Sequence, residues 1–266
     1  MPKKGTSASG TELVLIILEI LAGRGEVGVR ELARELNMAP STALRFLRTL
    51  VHSGFAVFDE KDKLYRPGLR FLQLGAKVQE RFTLSRIARP VLEDLFARAQ
   101  ETVNLGILSS DLREVIHMDK IVTDRVVRID TGVGRTAPAY CTALGKAMLS
   151  FQPLEQVAAY LAQAELVPRT PNTLVSPEAL LADLERCRAR GYAIDQEEYA
   201  EHLECVAAPV FGYRGQVVAG ISISRLAVPG KEPVSELAPE VVRSGQELSS
   251  QLATVPDVAL WTAASV

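Results

Sequence analysis

The run Asp195-Gln-Glu-Glu198, the serines Ser222 and Ser224, and the thiol of Cys205 are the residues in this 266-residue chain best suited to chemistry. Two serines at i and i+2 on a strand project from the same face. An apolar strand with hydroxyls on its inner face either satisfies neighbouring backbone or lines a polar pocket. A small-molecule hydrolase or thiol enzyme would need Cys205 activated by His202 or Asp195, but spacing alone does not set a base against a thiol. A cysteine in a strand serves equally well as a small core hydrophobe. His202, Cys205 and Cys141 form no metal-type ligand set, and His52 and His117 stand apart from them. Gly132-Val-Gly134-Arg-Thr-Ala137 has a dinucleotide-loop spacing, yet Pro138 follows at once and no helix opens at the second glycine. Gly145-Lys146-Ala147 resembles the end of a phosphate loop, but Tyr140 replaces the required first glycine and no Ser or Thr follows the lysine. The residues therefore predict no cofactor and no metal.

A second chemistry, contact with phosphate and base edges, is carried by Ser41, Thr42, Arg45, Arg48 and Thr49. The elements that must position them are legible. Val29, Leu32, Ala33 and Leu36 recur at helical spacing, Asn37-Met38-Ala39 makes a turn, and Pro40 suits a first helical position. Ala43, Phe46, Leu47 and Leu50 give a second apolar face, so Pro40–His52 is expected to be a helix whose other side carries no acid. Gly54 ends it. Phe55–Phe58, a polar turn 59–63 with Lys61 and Lys63, and Leu64–Arg66 then read as a basic hairpin. Together these predict a winged helix-turn-helix that places one helix in the major groove of double-stranded DNA. A helical hairpin in an ordinary core shares the periodicity; the acid-free face and the hairpin favour DNA.

The net charge of −2 is unevenly placed: residues 1–80 carry +3 and residues 81–266 carry −5. A basic end on an acidic body suits a protein whose first domain meets phosphate and whose second does something else. Three cysteines without a CxxC argue against a disulfide framework and for the reducing cytoplasm. Leu13–Leu18 is far too short for a membrane span and is interrupted by Glu19. Ser9 and Glu12 form a capping box at the start of a helix near Thr11–Ala22.

Beyond Pro67, residues 68–82 have the pattern of a linker helix and residues 84–100 that of another helix. Val103–Leu108, Val115–Lys120 and Arg125–Asp130 read as strands, followed by helices at Cys141–Ser150, Pro153–Ala162 and Pro177–Arg190. Tyr192–Asp195, Val206–Phe211 and Val217–Ser224 return to strands, and Glu236–Ala253 closes the chain as a helix. Short turns between strands and helices gathered on the flanks predict an antiparallel α+β domain.

Across about Thr11 to Ala253 the chain resembles the IclR family of bacterial transcriptional regulators. The resemblance is carried by Glu31-Leu-Ala, Pro40-Ser-Thr-Ala-Leu-Arg45-Phe-Leu, Thr142-Ala-Leu-Gly145-Lys-Ala-Met-Leu149, Gly191-Tyr-Ala-Ile-Asp195-Gln-Glu-Glu198, Cys205-Val-Ala-Ala-Pro-Val and Gly220-Ile-Ser-Ile-Ser224, in that order. It implies a winged helix-turn-helix over 1–67, a linker helix over 68–83, a GAF-like effector-binding domain over 84–254 and a tail over 255–266. It also implies a dimer or tetramer, a palindromic operator and a small carboxylic or aromatic acid as effector, with no catalytic residue. The effector is then expected to touch Leu144, Gly145, Asp195, Leu203, Cys205, Ser222 and Ser224, with free N–H groups near Gly145 facing its carboxylate.

Departures from common members fall at Leu44, Val127 and Pro138. Leu44 lies off the apolar face and is expected to meet a thymine methyl. The sequence thus predicts a ligand-responsive transcription factor: Arg45 and Arg48 on phosphate or guanine, Ser41 and Thr42 on phosphate, Lys61 or Lys63 on the backbone from the wing. Effector binding is expected to alter the spacing of the two DNA-binding heads.

Overall fold

The computed structural model describes residues 9–79, 83–124 and 132–253. The strand expected over Arg125–Asp130, the position of Val127 and the tail over 255–266 lie outside the described residues. The chain divides into two compact units at Arg81/Phe82.

In the first unit, α1 (Gly10–Arg24) opens with the expected capping box: Glu12 N–H donates to Ser9 Oγ at 3.2 Å and Ser9 N–H to Glu12 Oε2 at 2.6 Å. It packs through Ile17 and Leu21 on α2 (Val29–Glu35) and α3 (Pro40–His52), whose Leu32, Ala33, Ala43, Leu47 and Leu50 complete a small core. Asn37 turns the chain between the two helices at a positive φ of 50°, a conformation asparagine tolerates better than most. The wing is β1 (Ala56–Phe58) paired antiparallel with β2 (Tyr65–Pro67). A bridge the sequence did not announce ties it down, with Val27 and Tyr65 exchanging both backbone hydrogen bonds at 2.9 Å. The first turn of α4 (Arg70–Gln79) is fixed to this unit by Gly68 N–H donating to Phe55 O at 2.8 Å and by an edge-to-face contact of Phe55 with Phe71 at 5.2 Å.

The second unit is built on a six-stranded antiparallel sheet in the order β5-β4-β3-β8-β7-β6. Its strands are β3 (Thr102–Leu108), β4 (Glu114–Ile121), β5 (Thr136–Pro138), β6 (Ala193–Gln196), β7 (Leu203–Phe211) and β8 (Val217–Leu226). Period-two alternation sorts the two faces. Ile221 and Ile223 on β8, with Val206 and Val210 on β7, pack against α5 (Thr83–Ala99) and α9 (Ala238–Leu252). The opposite face meets α6 (Ala143–Leu149), α7 (Leu154–Gln163) and α8 (Pro177–Arg190), with Cys205 and Ala207 of β7 in that second core.

Close approach of α6 to its surroundings rests on glycines. Gly106 and Gly220 face each other on β3 and β8, and a Cβ on either would lie 3.2 and 3.0 Å from the Leu144 side chain. Leu144 therefore seats directly on the sheet. A Cβ on Gly145 would lie 2.1 Å from the carbonyl oxygen of Ala139, in a short 3-10 turn (Ala139–Cys141) that overlaps the expected helix Cys141–Ser150 only at Cys141. Gly145→Ala should therefore destabilise the second unit by about 1–3 kcal/mol, through backbone displacement rather than through any change of polarity. Urea unfolding followed by far-UV circular dichroism checks this; an unchanged midpoint would contradict the packing.

Candidate functional site: an acid-free helix face and a buried polar cavity

The first unit presents Ser41, Arg45, Arg48 and Thr49 of α3 on its exposed side, with Thr42 half-buried at the helix start. No acidic residue interrupts this face. The Thr49 hydroxyl donates to the Arg45 carbonyl at 3.0 Å, so its role is as an acceptor. Leu44 is not free of the core as the periodicity implied: it is half-buried and packs against the head cluster. The wing departs from its expected basic character. Lys61 and Lys63 are exposed, but Arg66 is engaged by Asp59 at 2.6 Å, by Glu26 at 3.1 Å and by Asp62. The hairpin 55–67 carries three acids against three bases, leaving the two lysines as the cations available to a phosphate.

In the second unit, β6, β7, β8 and β4 direct polar side chains toward α6. They enclose a cavity of about 40 Å³, with Asp195, Cys205, Ser222, Ser224, His117 and Thr142 as its polar wall. Leu144, Leu203 and Tyr199 supply apolar surface. Pairing explains the grouping: Asp195 lies opposite Cys205, Cys205 opposite Ser224, and Ser222 opposite Asn104. Of the seven residues expected to meet an effector, six border this cavity. Gly145 does not; its N–H donates to Thr142 Oγ1 at 3.2 Å, and the free helix-start donors expected there are absent at that position.

The hydrogen bonds set which groups can donate. Asn104 Nδ2 donates to Ser222 Oγ at 3.3 Å and to Ser224 Oγ at 3.1 Å, and the Cys205 thiol donates to Ser224 Oγ at 3.2 Å. With acceptor positions filled from behind, both serine O–H groups are available to donate into the cavity. Asp195 is 1% exposed. Its Oδ1 accepts from Glu198 N–H at 2.7 Å and Tyr199 N–H at 3.3 Å, while Oδ2 has no partner. Burial pushes this carboxyl up to about 7, and the nearby Glu198 carboxylate adds to the rise. His117 Nδ1 is likewise buried and unpartnered, and burial pulls the imidazole down to about 4, so it is neutral.

The same surroundings argue against the thiol-enzyme alternative. Burial and the adjacent Asp195 hold the Cys205 thiol far above its ordinary range, and burial pushes Cys141 up to about 12. His202 is exposed and does not border the cavity. Among the described residues the Cys205 thiol donates to the Ser224 hydroxyl rather than to a base, and no His/Cys/Asp/Glu cluster could hold a metal ion.

Behind the cavity wall lies what the sequence reading missed. Lys146 is 1% exposed, and its Nζ bonds Asp183 Oδ2 of α8 at 2.8 Å and the Glu198 carboxylate. Burial pulls the ammonium down, but the two carboxylates overcome this and hold it above its ordinary value. Glu198 belongs to a turn pinned from the 170s: Thr170 and Thr173 hydroxyls donate to Glu197 O at 2.6 Å and Glu198 O at 2.7 Å, and Asn172 Nδ2 donates to Gln196 O at 3.1 Å. The signal was present. A lysine inside the otherwise apolar run Ala143–Leu149 must be buried with it and therefore needs carboxylate partners. Lys146→Met leaves Glu198 without its cation and Asp183 with only the exposed Arg186 at 3.1 Å, and should cost about 3–5 kcal/mol of stability. Chemical denaturation of the full chain measures it; a loss under about 1 kcal/mol would show that the triad is not what holds the wall.

Comparison with known proteins identifies the family of both units. Residues 14–60 match a family profile described as the IclR helix-turn-helix domain, and residues 76–250 one described as bacterial transcriptional regulator IclR C-terminal. The regulator KdgR of Dickeya chrysanthemi is 35% identical over 224 residues, covering 84% of this chain and 73% of its own. The crystal structure of Thermotoga maritima IclR superposes with a TM-score of 0.72 at 34% identity, covering 90% of this chain and 97% of that one. An IclR homologue of Microbacterium hydrocarbonoxydans, crystallised with 4-hydroxybenzoate, shares the fold at a TM-score of 0.76 and 22% identity, over 90% and 97% of the two chains. With both of its units matched in order, the chain belongs to the IclR family of DNA-binding transcriptional regulators.

Proposed function

We propose that this regulator binds a palindromic operator as a dimer or tetramer in the cytoplasm and that a small organic acid in the cavity of its second unit changes operator affinity. The observation that carries the acid reading is the pair of serine hydroxyls on β8, turned into donors by Asn104 and aimed into a buried cavity. A carboxylate oxygen accepts from both, and Leu144, Leu203 and Tyr199 supply apolar wall that must move outward from the present volume of about 40 Å³ to admit the acid's carbon body. The related protein crystallised with 4-hydroxybenzoate supports this ligand class.

On the DNA side, Arg45 and Arg48 read guanine edges or hold phosphate, Ser41, Thr42 and Thr49 accept or donate at the backbone, and Lys61 and Lys63 hold phosphate from the wing. Leu44, half-buried, offers at most its outer edge to a thymine methyl. A two-fold assembly reads half-sites about one helical turn, or a multiple of it, apart.

The test is anisotropy titration of the full chain on DNA from its own promoter, at fixed salt, with and without a panel of aliphatic and aromatic hydroxy- and keto-acids. At least one acid should shift operator affinity severalfold; no shift with any acid at saturation would overturn the acid reading. Arg45→Ala should weaken operator binding by about 1–3 kcal/mol, whereas Lys63→Ala should lower the salt slope by about one. The double substitution Ser222→Ala with Ser224→Ala should weaken the active acid by about tenfold or more while leaving operator affinity without acid unchanged.

A further inference from the structure

The cavity that offers serine donors to a carboxylate also holds a carboxyl of its own. Asp195 Oδ1 is saturated by two backbone N–H groups, and Oδ2 faces the cavity with no partner. A carboxylate drawn in by Ser222 and Ser224 is therefore brought to the cavity that Asp195 shares. Two ionised carboxylates in one small, largely buried cavity repel strongly, and the arrangement becomes favourable when one proton lies between them. We propose that the acid effector is taken up together with one proton from solvent, which Asp195 Oδ2 holds and donates to the effector carboxylate. This rests on the acid reading above. No covalent bond forms or breaks; effector anion and proton enter, and both leave on release.

The groups facing Asp195 from each neighbouring element leave it as the proton's site. Glu198, on its own turn, and Asp183, on α8, both bond Lys146, so the three groups together carry one net negative charge; the ammonium lowers the Asp195 carboxyl, but burial outweighs it. Glu198 Oε2 is also buried without a partner, yet its Oε1 is bonded to the ammonium and the residue does not border the cavity. On β7, Glu204 is paired with Arg225 of β8 at 3.0 Å, so this guanidinium is also committed. Arg169 stacks on the Tyr199 ring at 4.5 Å and donates to the Tyr199 carbonyl at 3.2 Å. Cys205 and, from the 3-10 turn, Cys141 are thiols that Asp195 itself helps to keep protonated. On β4, His117 stays neutral because burial depresses it to about 4. Burial places the Asp195 carboxyl itself near 7 before any anion arrives, and an adjacent anion drives it higher.

The sign follows from linkage. Where free Asp195 is ionised, above about pH 7, binding must take up a proton, and the dissociation constant rises about tenfold per pH unit. Below that pH the proton is already present and affinity levels off. Isothermal titration calorimetry of the full chain tests this, using whichever acid of the panel shifts operator affinity. Runs at about pH 6.5, 7.5 and 8.5, in buffers of differing ionisation enthalpy, report the protons taken up. Close to one proton per acid at the highest pH, falling at the lowest, is the expected result. Asp195→Asn keeps the Oδ1 acceptor and should bind the same acid with no proton uptake and no pH slope. Binding by the wild-type chain with a flat dissociation constant and no uptake overturns the proposal and leaves the acid reading intact. An Asp195→Asn chain that keeps the wild-type slope overturns it too, and should that chain fail to fold, the wild-type uptake decides alone. Absence of binding by every acid overturns the acid reading itself.

Discussion

The second unit depends on one buried cation. Lys146 gives up its hydration within the α6 core, and only two carboxylates from separate parts of the chain make that tolerable. Asp183 fixes α8 to α6, and Glu198 fixes the turn after β6 to α6. Because Asp195 caps that same turn through Glu198 N–H and Tyr199 N–H, satisfying Lys146 also sets where the Asp195 carboxyl points. The cavity's least ordinary group is thus positioned by a charge that never meets the cavity.

The sheet makes the rest of the site inexpensive. Alternation along β7 and β8 commits Val206, Ile221 and Ile223 to the core under α5 and α9, so Cys205, Ser222 and Ser224 have only the α6 face left to them. The facing glycines Gly106 and Gly220 lower Leu144 onto the sheet, which closes the cavity from above. Asn104 then orients both hydroxyls. Each feature is a packing requirement before it is a recognition feature, and the recognition chemistry follows from which polar atoms packing leaves unpaired.

Much of this was legible in the sequence because it is local. The capping box at Ser9 and Glu12, the Pro40 helix start and the alternation around Ser222 and Ser224 depend on neighbours a few residues away. What failed was non-local. The hairpin reads as basic, but Glu26, forty residues before Arg66, lies beside that guanidinium, and Leu44, off the apolar face by periodicity, packs against the head core. Gly145, expected beside the ligand, has a packing duty the sequence does not show: its lack of a Cβ admits the Ala139 backbone, and its N–H donates to Thr142. Lys146 fits no phosphate-loop pattern, and its carboxylate partners lie 37 and 52 residues away. Sequence reasoning sees the need for a counter-ion in an apolar helix but not which carboxylates will supply it.

Asp195 is a buried carboxyl poised between protonation states at the edge of the cavity proposed to bind the acid. Titration of its side-chain carboxyl carbon by NMR, in the full chain labelled with carbon-13 aspartate and assigned through Asp195→Asn, addresses this directly. A midpoint near 7 in the free protein, moving upward when the active acid saturates the cavity, is what the structure predicts. A midpoint in the ordinary aspartate range near about 4, unmoved by the acid, would contradict it.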